Sequence, residues 1–193
     1  SRYLPWPCDR YIDWRTHMGG GWLSPVRNQL GGGASCGSCY AFSTLAMVEA
    51  RIRIATNGQQ NDTLSVLDVV SCSPYSQGCD GGFPYLVGKY LHDYGVVSEE
   101  CFPYEGQSKP TEGARPGRSP CSRRCAAPRR RWHAANYRYV GGRYGSCNEA
   151  EMMREVYHHG PIVIGFEVGV RVRVRARVRA RVRVRVRVRV RVR

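Results

Sequence analysis

The sequence predicts an α+β fold with its helices and strands segregated, on three observations. Helical periodicity occupies the first half, strand-like alternation begins only after residue 136, and nine cysteines spread through the body suggest a disulfide framework. At 193 residues the chain is long enough to bury one substantial core, or two small domains sharing one.

The first helix is predicted over 39–56, "CYAFSTLAMVEARIRIAT". Phe42, Leu45, Ala46 and Val48 recur at helical spacing, Glu49 and Arg53 form an i, i+4 pair, and Asn57-Gly58 stops the run. A short apolar segment, "LSVLDVV", leads into Cys72. "FPYLVGKYLHDYG" reads as a second helix, with Pro84 in its first turn and Gly95 at its end. Residues 105–131 turn polar and rich in Pro, Gly, Ser and Arg, the composition of a long surface loop held by Cys121 and Cys125. "NYRYVGG" alternates like a strand, and "CNEAEMMREVYHHGP" is a helix capped by Asn148 and ended by Gly160-Pro161. "IVIGFEV" is a further strand.

Residues 170–193 alternate Val or Ala with Arg. Twelve of the 30 basic residues lie there, leaving 18 against 15 acidic ones, so the body carries only +3 of the formal +15. A specific nucleic-acid function is therefore not built on the net charge, although such a polycation binds nucleic acid non-specifically at low salt. The favoured reading of this tail is a translated nucleotide repeat. The lesser one is a strand whose Val face pairs with an exposed sheet edge or meets an anionic surface.

The cysteines are Cys8, Cys36, Cys39, Cys72, Cys79, Cys101, Cys121, Cys125 and Cys147. The spacings Cys36-x-x-Cys39 and Cys121-x-x-x-Cys125 lack the flanking histidines and hairpin context of zinc sites, so no metal centre is expected. A disulfide framework implies a secretory, extracellular or lysosomal setting, and the odd count leaves at least one thiol unpaired. The sequon Asn61-Asp62-Thr63 makes Asn61 a glycosylation candidate in such a compartment. No membrane span or signal peptide is visible. The chain opens at Ser1 and reads as a mature or partial segment whose targeting sequence lies elsewhere.

"SCGSCYAFS" places Cys39 where the helical pattern begins. A helix N-terminus favours the thiolate, the nucleophilic form, and Gly37 lets backbone approach a ligand. A structural role for both Cys36 and Cys39, or a redox pair, is the competing reading, but the strand that precedes thioredoxin-like motifs is not evident.

These residues resemble the C-G-[SA]-C-[WY] signature of papain-like cysteine peptidases. "DWR", "SPVRNQ", "VVSCS", "GCDGGFPY" and "CFPYEG" follow the family's order, and the likeness covers roughly residues 3–168. Tyr40, "EARIRI", "QGCDGGFPYL" and "GGRYGSCNEA" are similar to the dipeptidyl-peptidase I branch, whose members remove N-terminal dipeptides. The resemblance implies a two-lobed papain-like fold with the helical lobe present and the β-barrel lobe incomplete, over 1–169, followed by the repeat over 170–193. It implies Cys39 as nucleophile, with Gln29 and the Cys39 N–H forming the oxyanion hole. It implies Gly81, Gly82, Phe83 and Pro84 as substrate-binding residues, with Tyr85 and Tyr139 holding a chloride ion. The implied disulfides are Cys36–Cys79, Cys72–Cys121 and Cys101–Cys125; Cys8 and Cys147 are given no role. Peptide or protein substrates and a homo-oligomer follow from the same likeness.

A thiol peptidase also needs an imidazole and a group to orient it. The family places its histidine about 130–150 residues after the nucleophile. Counted from Cys39, that window lies in the Val-Arg repeat, and the expected Asn would follow it. Of His17, His92, His133, His158 and His159, the last two end a helix and are read as structural. The sequence thus predicts no catalytic His or Asn in this chain and little activity for it as it stands. "LGGGA", standing where the family has one residue, also separates Gln29 from Cys39 by four extra positions. The alternative reading is a papain-like pseudoenzyme that binds peptides or a protein without cutting them.

Overall fold

In the computed structural model, residues 12–29, 36–104, 121 and 130–165 are described, together with the backbone of 183–184 and 187–192. The architecture is mixed, with helices α1 (Cys39–Ala55), α2 (Val66–Cys72), α3 (Pro84–Asp93) and α4 (Glu149–His159). Strands β1 (Trp132–Arg138), β2 (Ile164–Gly165), β3 (Arg183–Val184) and β4 (Arg187–Val192) form two separate two-stranded sheets.

Eleven of the 17 residues of α1 are buried, so it runs through the core rather than along its surface. Its apolar residues Leu45, Val48 and Ile52 join Val66 and Val69 of α2, Val87 and Leu91 of α3, and Trp132 and Ala134 of β1. Glu49 and Arg53, expected to pair with each other, are buried with it and are joined only through the Ser24 hydroxyl that both contact. Glu49 accepts from Ser24 Oγ, from the Leu64 N–H at 2.8 Å and from Arg27 at 3.1 Å. Arg53 reaches the same Ser24 hydroxyl at 2.8 Å and the Asn61 carbonyl at 3.2 Å. Burial of a carboxylate and a guanidinium demands this saturation of donors and acceptors.

The segment "LSVLDVV" forms α2, capped by Ser65, whose hydroxyl accepts from the Asp68 N–H at 3.0 Å. In α3, Pro84 opens the first turn. Helix α4 carries the expected Asn148 cap, accepting from the Glu151 N–H at 3.0 Å. It is tied to α1 by the buried pair Arg51–Glu155 at 3.0 Å.

The strand expected at 136–142 starts earlier, at Trp132, and carries a bulge between Ala134 and Asn136. Trp132 and Ala134 point inward before it, whereas beyond it the half-buried positions are Tyr137 and Tyr139. One extra residue reverses the strand's alternation, which is how the sheet turns two tyrosines toward α3. Gly88 makes room for this contact, since a Cβ there would lie 2.8 Å from that of Tyr137.

Strand β4 lies in the repeat tail and pairs antiparallel with β1, setting Val192 opposite Trp132 and Val190 opposite Ala134. Edge pairing, the lesser of the two sequence readings, is therefore the arrangement the backbone adopts over 187–192. β3 pairs with β2 over two residues; the strand expected at 162–168 begins only at Ile164, and residues 166–168 lie outside the described residues. No described helix is long and apolar enough to cross a membrane.

Candidate active site

Cys39 is the first residue of α1, and its thiol is exposed and free. The preceding Ser38 makes no side-chain cap; its carbonyl accepts from the Ala41 and Phe42 N–H groups at 2.9 and 3.1 Å, and Cys39 and Tyr40 stand ahead of that first turn. Ser43, one turn on, donates to the Cys39 carbonyl at 2.8 Å. The other free cysteine among the described residues, Cys147, is half-buried; burial, with a contribution from nearby Glu151, pushes its thiol up and away from the reactive thiolate.

The turn before Cys39 is fastened to the Gly81–Pro84 segment. Cys36 and Cys79 form a disulfide with their Cα atoms 4.5 Å apart, and the Gly37 N–H donates to the Cys79 carbonyl at 2.7 Å. Tyr40 passes on the other side, donating to the Gly78 carbonyl at 3.0 Å, its phenol pushed up by burial. Gly82 lies flat against that ring, for a Cβ there would come within 2.6 Å of it. Gly81 adopts φ +120°, a conformation that favours glycine. Phe83 is exposed beside it, and Pro84 begins α3. The implied substrate-binding residues thus form one continuous rim joined to the turn that presents Cys39.

Gln29 is held close to that turn despite the intervening insertion. Its side-chain amide donates to the Cys36 carbonyl at 3.1 Å. An amide nitrogen has two N–H groups, so one is committed here. The insertion's own residues, 30–35, lie outside the described set.

Tyr85 and Tyr139 are brought together as stacked rings, 4.6 Å apart and 9° from parallel, with Tyr137 edge-on to Tyr85 at 4.9 Å. The bulge in β1 is what turns this tyrosine pair from the strand toward the start of α3. Cys72 and Cys121 form the second disulfide, with Cα atoms 4.9 Å apart. Cys101 is also disulfide-bonded, and the expected partner Cys125, like Cys8, lies outside the described residues. Asn61 is exposed, as a glycan acceptor must be.

The histidines are engaged elsewhere. His17 packs edge-on against Trp14 at 5.1 Å, and His92 Nδ1 meets the Asp93 carboxylate at 2.8 Å. The His133 ring sits over Gly95, and His158 and His159 close α4, His158 edge-on to Tyr157. None of these contacts involves Cys39. Sequence reasoning passed over Tyr104, whose hydroxyl lies within hydrogen-bonding distance of the Gln29 carbonyl and Ser38 Oγ. It stood in a quoted segment, but a contact across 75 residues leaves no local signal.

The exposed thiol at the helix start, the disulfide-held turn and the glycine rim lie together at one end of α1. The chain belongs to the papain family of cysteine proteases: the model described as "Papain family cysteine protease" matches residues 8–174. It is 42% identical to cathepsin C of Schistosoma mansoni over 147 residues, 76% of this chain and 29% of that protein. It is 33% identical to dipeptidyl aminopeptidase 1 of Plasmodium falciparum, over 74% of this chain and 27% of that protein. Among solved structures it is similar to a cysteine protease of Carica candamarcensis crystallised with E-64, with a TM-score of 0.56 and 28% identity. That match covers 76% of this chain and 58% of the other. The chain thus spans less than a third of the length of the two curated relatives named here. The fold is papain-like α+β, with the helical lobe present and few strands in an incomplete sheet.

Proposed function

We propose that this chain carries the nucleophile-bearing part of a dipeptidyl-peptidase-like cysteine peptidase, with Cys39 as the nucleophile. The observation that carries the reading is the exposed free thiol on the first residue of an uncapped, 17-residue helix. The Cys39 sulfur attacks the scissile carbonyl, forming a C–S bond while the carbonyl oxygen takes up negative charge. The Cys39 N–H and the second N–H of the Gln29 amide stabilise that charge. In a complete peptidase the C–N bond then breaks, the amine leaving with the thiol's proton delivered by an imidazole, and water hydrolyses the thioester to free the acyl group.

Gly81 and Gly82 offer backbone to the substrate, and Phe83 and Pro84 shape the pocket for its second residue. Tyr85 and Tyr139 would hold a chloride ion beside that pocket. Two O–H donors on stacked rings suit an anion, which would supply fixed negative charge there. The disulfides and cathepsin-type relatives support a lysosomal or secreted setting, and the likeness supports a homo-oligomer of the whole protein.

An imidazole must serve as base and acid, and the histidines of this chain contact other partners. In the related serine triad, removing any member leaves only roughly 10³–10⁴-fold catalysis over water. Cys39 should therefore acylate where no leaving-group proton is required and fail where it is. A dipeptide p-nitrophenyl ester tests this, because nitrophenolate departs unprotonated. The expected result is a burst of nitrophenolate and a dipeptidyl mass on Cys39, with the matching dipeptide amide uncut. No acylation of Cys39, or acylation spread equally to Cys147, overturns the proposal.

A peptide-binding role without cleavage is the second reading. It is favoured by the Gln29 amide being committed to the Cys36 carbonyl and by the histidines' other partners. Saturable peptide binding with no ester burst would select it.

A further inference from the structure

We infer that Tyr104 is a positioning residue for the proposed oxyanion site, clipping together the two ends of the glycine insertion. The inference rests on the peptidase reading of Cys39. The Tyr104 hydroxyl is 2.9 Å from the Gln29 carbonyl and 3.1 Å from Ser38 Oγ. A carbonyl only accepts, so the single phenolic proton goes to Gln29 and the Ser38 hydroxyl must donate to Tyr104. Gln29 and Ser38 flank residues 30–35, and Ser38 immediately precedes Cys39. One hydroxyl thereby links the residue bearing the side-chain oxyanion donor to the one before the backbone donor. Ser38, fully buried at the helix start, makes no side-chain cap and turns its hydroxyl to Tyr104.

Tyr104 is itself fixed at both ends. Its N–H donates to Glu99 at 2.6 Å, and its ring stands edge-on to Phe42 at 4.8 Å. Arg27 binds Glu99 at 3.4 Å and lies over the other contact, 5.3 Å from the centre of the Phe42 ring. A hydroxyl anchored this way holds Gln29 in place relative to the turn that presents Cys39.

The test compares wild type with Tyr104→Phe, which keeps the ring on Phe42 and removes only the hydroxyl. The probe is alanyl-phenylalaninal, a dipeptide aldehyde. The Cys39 S–H adds across its C=O bond, the sulfur bonding to carbon and the proton ending on the oxygen that the oxyanion donors bind. Iodoacetamide alkylation of Cys39 reads thiol access alone. Loss of one oxyanion donor costs about 10²–10³-fold in related sites, so displacement of one should weaken the adduct about tenfold. Alkylation should change less than about twofold, since it does not read donor placement, while the Tm falls modestly because the buried Ser38 hydroxyl loses its partner.

Equal aldehyde affinity in wild type and Tyr104→Phe overturns this role while leaving the peptidase reading standing. A wild type that forms no adduct overturns both. Should Tyr104→Phe not fold, Ser38→Ala, which removes the other hydroxyl of the bridge, carries the same two outcomes.

Discussion

Gly37 and Cys79 meet backbone to backbone at 2.7 Å, one residue from the disulfide that joins Cys36 to Cys79. A Cβ at position 37 would stand 2.7 Å from the Cys79 carbonyl oxygen, closer than such atoms approach. The turn that presents Cys39 and the rim proposed to hold substrate are therefore one mechanical unit. Gly37→Ala should open that junction, costing about 1–3 kcal/mol by overpacking. Urea denaturation reads the loss, and a variant as stable as wild type would show that the junction has slack.

Replacing Cys36 and Cys79 together by Ser removes the covalent half of the same junction. A disulfide of this kind is worth about 2–4 kcal/mol, chiefly through the unfolded chain. The double variant should lose that much in chemical denaturation, and dithiothreitol should destabilise wild type but not the variant through this bond.

Arg27 faces the fully buried Glu49 at 3.1 Å. Arg27→Met strips the carboxylate of its cation and should cost about 3–5 kcal/mol, the range for an uncompensated buried charge. Arg27→Lys should recover part of this, because a single ammonium cannot also reach Glu99 and the Leu64 carbonyl in the same fork geometry. Thermal denaturation of the pair checks the order.

Burial raises the Glu99 carboxyl above its ordinary value, against the opposing pull of the Tyr104 N–H and Arg27. A raised folded-state pKa means that Glu99's contribution to stability is fully present below the unfolded value. It is then lost as pH rises through the folded one. The Tm of wild type relative to Glu99→Gln should therefore fall as pH is raised from about 4 toward neutrality. A difference that grows with pH would contradict the sign.

Tyr85 and Tyr139 stack at 4.6 Å, the pairing on which the chloride proposal rests. Exchange of chloride for a larger, non-binding anion should lower the Tm of wild type, by the equivalent of about 2.7 kcal/mol at a hundredfold excess over Kd. Tyr85→Phe and Tyr139→Phe should each abolish the difference. A wild type indifferent to chloride would remove the ion from the account.

The sequence exposed those parts of the fold that local chemistry dictates. The Cys39 helix, the Pro84 start of α3 and the Asn148 cap of α4 each rest on residues within a turn of one another. What stayed hidden depends on distant partners. Glu49 and Arg53 read as an i, i+4 pair because nothing nearby in the sequence reveals Ser24, Arg27 and Leu64 as their partners. The bulge after Ala134 is one unmarked residue, yet it decides which way Tyr137 and Tyr139 face. Within the candidate site, the Cys39 motif stands out through its resemblance to the papain-like signature, whereas the Tyr104 contact spans 75 residues and requires the fold.

The central claim is that Cys39 is a site-directed nucleophile. Its most direct test is competitive labelling of the chain by a peptidyl epoxide, with the adduct located by tandem mass spectrometry. The account predicts labelling of Cys39 well ahead of Cys147, slowed by competing dipeptide and absent in Cys39→Ser. Labelling of Cys147 first, or of both thiols at the rate of a simple alkylating agent and indifferent to dipeptide, would contradict it.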